Sequence, residues 1–308
     1  MVITIRPNPH PLDYDWRFSD KTAERLVEYC ADGKTLSVGV PTVAAILSEK
    51  GKEVVLVDSH PVQDLKNHIL IDINFSEPLK DSYNFVVMDP PWYLDVYYRW
   101  LSWAAISAGI GAKIFLSIWP DNTRPLAISE KKELFEWVLK WADIEYFESS
   151  LDYETPLFEK MSNFKNKHLQ TRKGDLVIIT INSTPALKKI TPNESKWIRY
   201  LFNDYQIAVK CDENNNEIGS IKLDKLDQAN GWIWPSVSKR VKGRELIQLW
   251  SSENEVGQLD NPNALIKLLD QLIETDDLNK IYEKITNLKE WDIPSPPYSR
   301  KLKWKQEF

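Results

Sequence analysis

The stretch Phe85-Val86-Val87-Met88-Asp89-Pro90-Pro91-Trp92 decides how this chain is read. Its apolar run predicts a strand, extending back to Tyr83 and closing at Asp89. Two prolines cannot continue a ladder of backbone hydrogen bonds, so they stop it. A helical stretch from Trp92 to about Ala108 is expected next. The tetrad Asp89-Pro90-Pro91-Trp92 thus stands at a strand end. There a carboxylate and a backbone carbonyl can accept both N–H bonds of an amine. The prolines fix the turn and bring no competing N–H. The aromatic can lie against a flat ring. Asp89 and the Pro90 carbonyl would hold an amine with its lone pair towards an electrophilic methyl group. That is catalysis by orientation and electrostatics, and it needs no metal. The other reading is that Asp89 caps the helix.

Outward from the tetrad, strand and helix signals alternate. Ser19 and Asp20 offer caps to a helix over Lys21–Ala31, with Ala23, Leu26, Val27 and Cys30 on one face. Strands are expected at Lys34–Val40, Glu53–Asp58, His68–Asp72, Ala112–Trp119, Ile144–Leu151 and Asp175–Asn182. Pro41 suits the first turn of a helix reaching Lys50, and Ser129–Trp141 has helical spacing. Such alternation predicts an α/β domain with a mostly parallel sheet, its ligands beyond the carboxyl ends of the strands. Gly39, Asp58, Asp72 and Asp89 stand at four of those ends.

Composition excludes several classes. Glycine is 10 of 308 residues, less than half the usual share of about 7%. Gly109 and Gly111 begin a dinucleotide-type fingerprint that Ile114 breaks. Gly33-Lys34-Thr35 ends like a phosphate loop, but Glu28 stands where its first glycine belongs. Two cysteines and four histidines are too few for a zinc framework or a disulfide scaffold, so no metal is expected. The proline-broken opening carries no secretory pattern, and no apolar stretch reaches a membrane span, which points to a cytoplasmic protein with no membrane partner. Net charge is −6. The acidic excess lies wholly before residue 183. A polyanion would therefore need a local basic patch.

A methyl donor would lie across the first three strand ends. Gly39 would let the backbone approach its amino-acid moiety. Asp58 is placed to take ribose hydroxyls, as acids at that position do in nucleotide-binding sheets. Asp72 or Asn74 could meet the adenine amine.

These motifs resemble the class I S-adenosylmethionine methyltransferases. Within them the chain is similar to the branch of elongation-factor lysine methyltransferases and zinc-finger rRNA adenine-N6 methyltransferases. The resemblance covers about residues 14–182. It includes the aromatic opener Tyr14-Asp15-Trp16-Arg17-Phe18-Ser19 with Thr22-Ala23, and the glycine-poor loop Ser37-Val38-Gly39-Val40-Pro41-Thr42. Val57-Asp58, Ile71-Asp72-Ile73-Asn74 and the tetrad follow in order. It implies a Rossmann-like sheet of seven strands, with S-adenosylmethionine as cofactor. It places Trp16, Arg17 and Thr22 beside the donor's carboxylate and Gly39 and Pro41 in the donor loop. The chain departs from the family in two ways. Lysine members usually carry Tyr after the prolines, and the rRNA enzymes carry zinc fingers that this chain cannot build.

Adenine N6 of DNA or RNA is the expected target. Its amine is already neutral, and Trp92 offers a wide stacking face. A lysine ammonium, the alternative, must first lose a proton, at a cost of about 4.6 kcal/mol near pH 7. A catalytically inactive donor-binding or scaffold subunit is a third possibility. Basic residues among aromatics suit a flipped or single-stranded base. They are Lys160, Lys165, Lys167, Arg172 and Lys173 around Phe164, then Lys239, Arg240, Lys242 and Arg244 after Trp232 and Trp234. A third group, Arg300, Lys301, Lys303 and Lys305, surrounds Trp304.

Residues 1–185 are expected to form the methyltransferase domain. Residues 186–308 would be a mainly helical accessory region for substrate or partner. It would hold helices at Ser195–Asn203 and Lys242–Trp250, and a strand hairpin over Tyr205–Cys211 and Glu217–Leu223. A helical hairpin over Pro262–Ile273 and Leu278–Ile285 is expected to pack as core onto the first domain, the alternative being a face offered to a protein partner.

Overall fold

Apolar strands and amphipathic helices before residue 191 resolve into one sheet with helices on both faces. A computed structural model describes residues 7–30, 32–60, 62, 65–163, 172–191, 196–211 and 220–302. The strands are β1 (Thr35–Val38), β2 (Val54–Asp58), β3 (His68–Leu70), β4 (Phe85–Met88), β5 (Lys113–Ile118), β6 (Ala142–Asp152) and β7 (Lys173–Ile181). Their order is β3-β2-β1-β4-β5-β7-β6. The first five run parallel, and β7 runs antiparallel to both neighbours. This is a seven-stranded, mostly parallel, Rossmann-like sheet.

The helices are α1 (Asp20–Tyr29), α2 (Pro41–Glu49), α3 (Leu94–Ala108), α4 (Ala127–Val138) and a short α5 (Leu157–Ser162). Ser19 caps α1 by accepting the Thr22 N–H, and Pro41 opens α2, where a missing N–H costs nothing. In β4, alternation sends Val86 and Met88 to the side of Tyr97, Leu101 and Trp103 on α3. Val87 goes to the other side, with Leu26 on α1 and Leu47 on α2. Each such buried side chain contributes about 1.5–3 kcal/mol. Among the described residues eight tryptophans are buried, including Trp103, Trp119, Trp234, Trp250 and Trp291, so much of the tryptophan excess is core.

The chain divides into two compact units. Among the described residues, 16–154 and 172–191 form the first, while 7–15, 155–163 and those from 196 onward form the second. The cut thus falls near 191, and two earlier segments go with the later unit. The expectation of a mainly helical second region is corrected. It is built on an antiparallel sheet of β8 (Trp197–Phe202), β9 (Tyr205–Lys210), β10 (Leu223–Asp224), β11 (Leu249–Ser251), β12 (Val256–Leu259) and β13 (Ser299–Leu302), in the order β10-β12-β11-β9-β8-β13. The stretch expected as a helix from Ser195 is instead β8, which turns tightly into β9 through Asn203 at φ +56. The Lys242–Trp250 helix is likewise replaced by a turn of 3₁₀ helix over Arg244–Leu246 and then β11. Leu223 pairs with Leu259, not with β9. Two helices, α6 (Pro262–Thr275) and α7 (Asn279–Lys284), supply Leu265, Leu269, Leu272 and Ile281 to this unit's core. Among the described residues no helix is long and apolar enough to cross a membrane.

Candidate functional site

Strand register builds the site along one sheet edge. Val38 is opposite both Val57 and Met88. The next residues, Asp58, Gly39 and Asp89, therefore leave the sheet side by side. Met88 pairs with Leu116, which brings Ser117 alongside Asp89. Leu151 pairs with Gly174, bringing the end of β6 to the same edge.

Asp89 does not cap α3. Tyr93 holds the cap position, with no side-chain bond. The Asp89 Oδ1 accepts a hydrogen bond from the Tyr153 hydroxyl at 2.8 Å. Tyr153 is fully buried and also hydrogen-bonded to the Ser117 hydroxyl. Burial, then the neighbouring Asp89 charge, pushes the Tyr153 phenol well above its ordinary range. Tyr97 donates to the Ser117 carbonyl at 2.7 Å, and burial raises its phenol in the same way. The Pro91 carbonyl accepts the Tyr93 N–H at 2.6 Å. Among the described residues no hydrogen bond takes the Pro90 carbonyl.

Trp92 is half-buried. Its ring meets Tyr153 edge-on, with centroids 6.0 Å apart. The Arg172 guanidinium lies 3.8 Å from the Trp16 ring centre and 5.7 Å from that of Trp92. Trp16, Arg172 and Trp92 thus form a cation–aromatic stack beside the tetrad.

The other proposed donor contacts lie as follows. Gly39 has φ +68, which glycine adopts freely. A Cβ there would stand 3.2 Å from the Trp100 ring. Behind it, α2 starts with no side-chain cap, and the Val43 and Ala44 N–H groups donate to the Val40 carbonyl at 3.1 and 3.3 Å. Asp58 accepts hydrogen bonds from the His60 N–H at 2.8 Å and from its ring at 3.3 Å. Asp72 lies beyond β3 and not at its end. Its carboxylate accepts the Asn74 N–H at 2.9 Å, and its carbonyl accepts from Phe75 and Ser76, which makes a turn. Burial raises the Asp72 carboxyl above the usual range. The Asn74 Oδ1 accepts the Trp100 indole N–H at 3.0 Å. Arg99 fixes this turn by donating to the carbonyls of Ile73 and Ser76. Thr22 is buried, and its hydroxyl accepts the Asp152 N–H. Arg17 pairs through its carbonyl with the Glu154 N–H. The opener is thereby laced to the end of β6, with Phe18 in a bridge to Tyr153.

The basic residues separate into different settings. Lys173 is exposed and ion-paired with Asp152 at 2.9 Å. Lys165 and Lys167, with Phe164, lie outside the described residues. In the second unit Lys239, Arg240 and Lys242 are exposed. Arg244 is half-buried, stacked 4.6 Å from the Trp250 ring centre and 5.3 Å from that of Tyr14. Arg300 is held by Asp270 at 2.8 Å, and the side chains of Lys301, Lys303 and Lys305 lie outside the described residues. The sequence reading missed Tyr153, Ser117 and Trp100. The first of these lies over Gly174. Gly174 interrupts a strand in a glycine-poor chain, without a positive φ to explain it.

No protein-family model and no curated protein matches the chain. A solved structure shares its fold. A branched-chain polyamine synthase mutein from Thermus thermophilus, in complex with N4-aminopropylspermidine and 5′-methylthioadenosine, superposes with a TM-score of 0.51 at 12% identity. The match covers 61% of this chain and 64% of that one. A TehB-like SAM-dependent methyltransferase from Corynebacterium glutamicum gives 0.37 at 15% identity, over 53% and 89% of the two chains. A T. thermophilus 16S rRNA N2 G1207 methyltransferase, in complex with AdoMet and guanosine, gives 0.35 at 11% identity, over 67% and 48%. At 12% identity the likeness to the polyamine synthase is one of fold alone.

Proposed function

We propose that the protein is an S-adenosylmethionine-dependent N-methyltransferase acting on an exocyclic amine, adenine N6 of a nucleic acid. The observation that carries the reading is Asp89, a carboxylate at the end of β4 held by Tyr153 and followed by an unengaged Pro90 carbonyl. Two acceptors in that order suit the two N–H bonds of one amine.

The residues at the edge fit the donor. Gly39 presents backbone with no side chain in the way, against Trp100. α2 starts just after Gly39, and the positive end of its helix dipole would favour a carboxylate. Asp58 would take hydroxyls, and Asn74 with the Asp72 turn would meet the adenine. Trp16, Arg17 and Pro41 would line the amino-acid end. Thr22, committed to Asp152, would hold the opener in place. Bound there, S-adenosylmethionine supplies a methyl group on a positively charged sulfur. Asp89 and the Pro90 carbonyl then orient the amine lone pair, and Trp92 stacks on the base. After transfer the nitrogen sheds its extra proton, and the Asp89 carboxylate is the adjacent acceptor.

Arg172 favours the nucleobase over lysine. Its guanidinium lies over Trp92, so an ammonium approaching that ring meets a like charge, whereas a neutral base or a phosphate does not. The exposed Lys173, Lys239, Arg240 and Lys242 suit a nucleic-acid backbone. A protein target would be recognised instead through the second unit.

The test is transfer of tritiated methyl from S-adenosylmethionine to separated DNA, RNA and protein fractions, wild type against Asp89→Ala. Label in DNA or RNA that is lost in the variant is expected. Label in protein alone selects the lysine reading. Transfer that survives Asp89→Ala overturns the role of Asp89.

A further inference from the structure

An aspartate side chain at a strand end has a soft χ2 torsion. A carboxylate free to rotate presents its lone pairs in no fixed direction. The surroundings of Asp89 remove that freedom through a residue 64 positions away, the Tyr153 hydroxyl on Oδ1.

Several independent features bring that hydroxyl there. The ladder between β6 and β7 shifts register between Phe147 and Leu151, and Ser149 in the irregularity has φ +45. Such a bulge re-aims the strand end that follows it. The Asp175 carboxylate pins the bulge by accepting the Ser149 N–H at 2.7 Å. The Tyr153 ring then packs beside Phe18 at 4.9 Å and edge-on to Trp92. It also needs room. A Cβ at Gly174 would stand 2.9 Å from the Tyr153 Cε2 and 3.4 Å from its hydroxyl oxygen. Gly174 has no positive φ, so the glycine answers to the tyrosine ring and not to the backbone. Finally, the phenol donates to Asp89 while its oxygen faces the Ser117 hydroxyl, which gives a relay Ser117–Tyr153–Asp89.

We infer that Tyr153 is the positioning residue of the site, fixing the direction in which the Asp89 carboxylate meets the substrate amine. The inference rests on the reading of Asp89 as amine acceptor. Tyr153 itself touches no reacting atom. Its burial and its occupied hydroxyl leave it the single task of orienting Asp89, with Ser117 setting the direction of the phenol O–H. Misorientation of a reacting partner by about 1 Å can cost about 100-fold in rate. The loss should appear in kcat and leave the donor's affinity alone.

The experiment compares wild type, Tyr153→Phe, Ser117→Ala and Asp89→Ala. It measures kcat and KM for tritiated methyl transfer to whichever of the total RNA, DNA and protein fractions accepts label. It also measures S-adenosylhomocysteine affinity by calorimetry, and Tm. Tyr153→Phe is expected to lower kcat about 10–100-fold, with KM and S-adenosylhomocysteine affinity within about twofold of wild type. Ser117→Ala is expected to lower kcat about 3–10-fold in the same pattern. An inactive Asp89→Ala beside a Tyr153→Phe of wild-type kcat overturns the inference and leaves the function standing. A fully active Asp89→Ala, or a wild type that labels no fraction, overturns the functional reading itself. If Tyr153→Phe fails to fold, Ser117→Ala decides, and an unchanged kcat there overturns the relay.

Discussion

The Lys131 ammonium stands 2.9 Å from the Asp175 carboxylate, with both side chains almost wholly out of solvent. Lys131 also reaches Asp121 at 2.6 Å and the Tyr146 hydroxyl at 2.8 Å. Tyr146 in turn donates to Asp175. Asp175 thus joins α4, β6 and the bulge that precedes Tyr153. Burial pulls the Lys131 pKa down, but its bonds to Asp121, Tyr146 and Asp175 outweigh this and leave it raised. Removing one partner of such a buried pair costs about 3–5 kcal/mol. Lys131→Met is expected to show that loss in urea unfolding at pH 7. Because the folded pKa lies above the unfolded one, the stabilisation is complete below the ordinary lysine range of about 10.4. It fades as pH rises through the folded value. On the alkaline side the gap between wild type and variant should therefore close as the pH rises into strong alkali.

Asp72 behaves in the opposite sense. Its buried carboxyl is raised, so the folded state holds the charged form at a disadvantage above that pKa. The disadvantage disappears as pH falls below the unfolded value. Asparagine can still accept the Asn74 N–H without the charge. Asp72→Asn is expected to raise Tm at pH 7, with the difference shrinking towards pH 3 in a series of thermal melts.

Gly39 combines a left-handed backbone with a crowded neighbour. An L-residue at φ +68 costs about 1–2 kcal/mol, and Trp100 must also move. Gly39→Ala should lose at least that much stability in thermal melts. It should also weaken S-adenosylhomocysteine binding. In wild type, ligand at about 100 times Kd should stabilise by about 2.7 kcal/mol.

Arg172 bears on the substrate and not on the fold. Arg172→Ala removes the cation from between Trp16 and Trp92. It is expected to raise KM for a nucleic-acid substrate about tenfold, consistent with loss of about 1.4 kcal/mol of contact, and to flatten the salt dependence of binding. A KM for RNA and DNA unchanged by the substitution would separate Arg172 from substrate recognition.

The first sheet was legible because each of its parallel strands is a short apolar run with its own turn signals. Val38 and Met88 carry Gly39 and Asp89 to the same edge by register alone. What escaped depended on distant partners. Tyr153 looks like any aromatic at the end of a mixed strand until Gly174 and Asp89 are beside it. Asp72 closes its own turn through Asn74, so it reads as a strand end in a sequence that cannot show where the ladder stops. Trp197–Phe202, within the stretch expected as helix, is a strand that takes Arg199 inward. The Arg199 guanidinium is buried against Asp13 and Gln206.

That Arg199 has a consequence for synthesis. Burial lowers its pKa to about 9, and its carboxylate partner Asp13 lies 186 residues earlier. On a ribosome Asp13 emerges first and must wait for 186 further residues before its countercharge exists. A fragment translated from residue 186 would contain β8 and β9 but not the anion that lets Arg199 enter them. The second unit is therefore a late-closing module. It draws on residues 7–15 as well as those from 196 onward, and is expected to aggregate when expressed without residues 7–15.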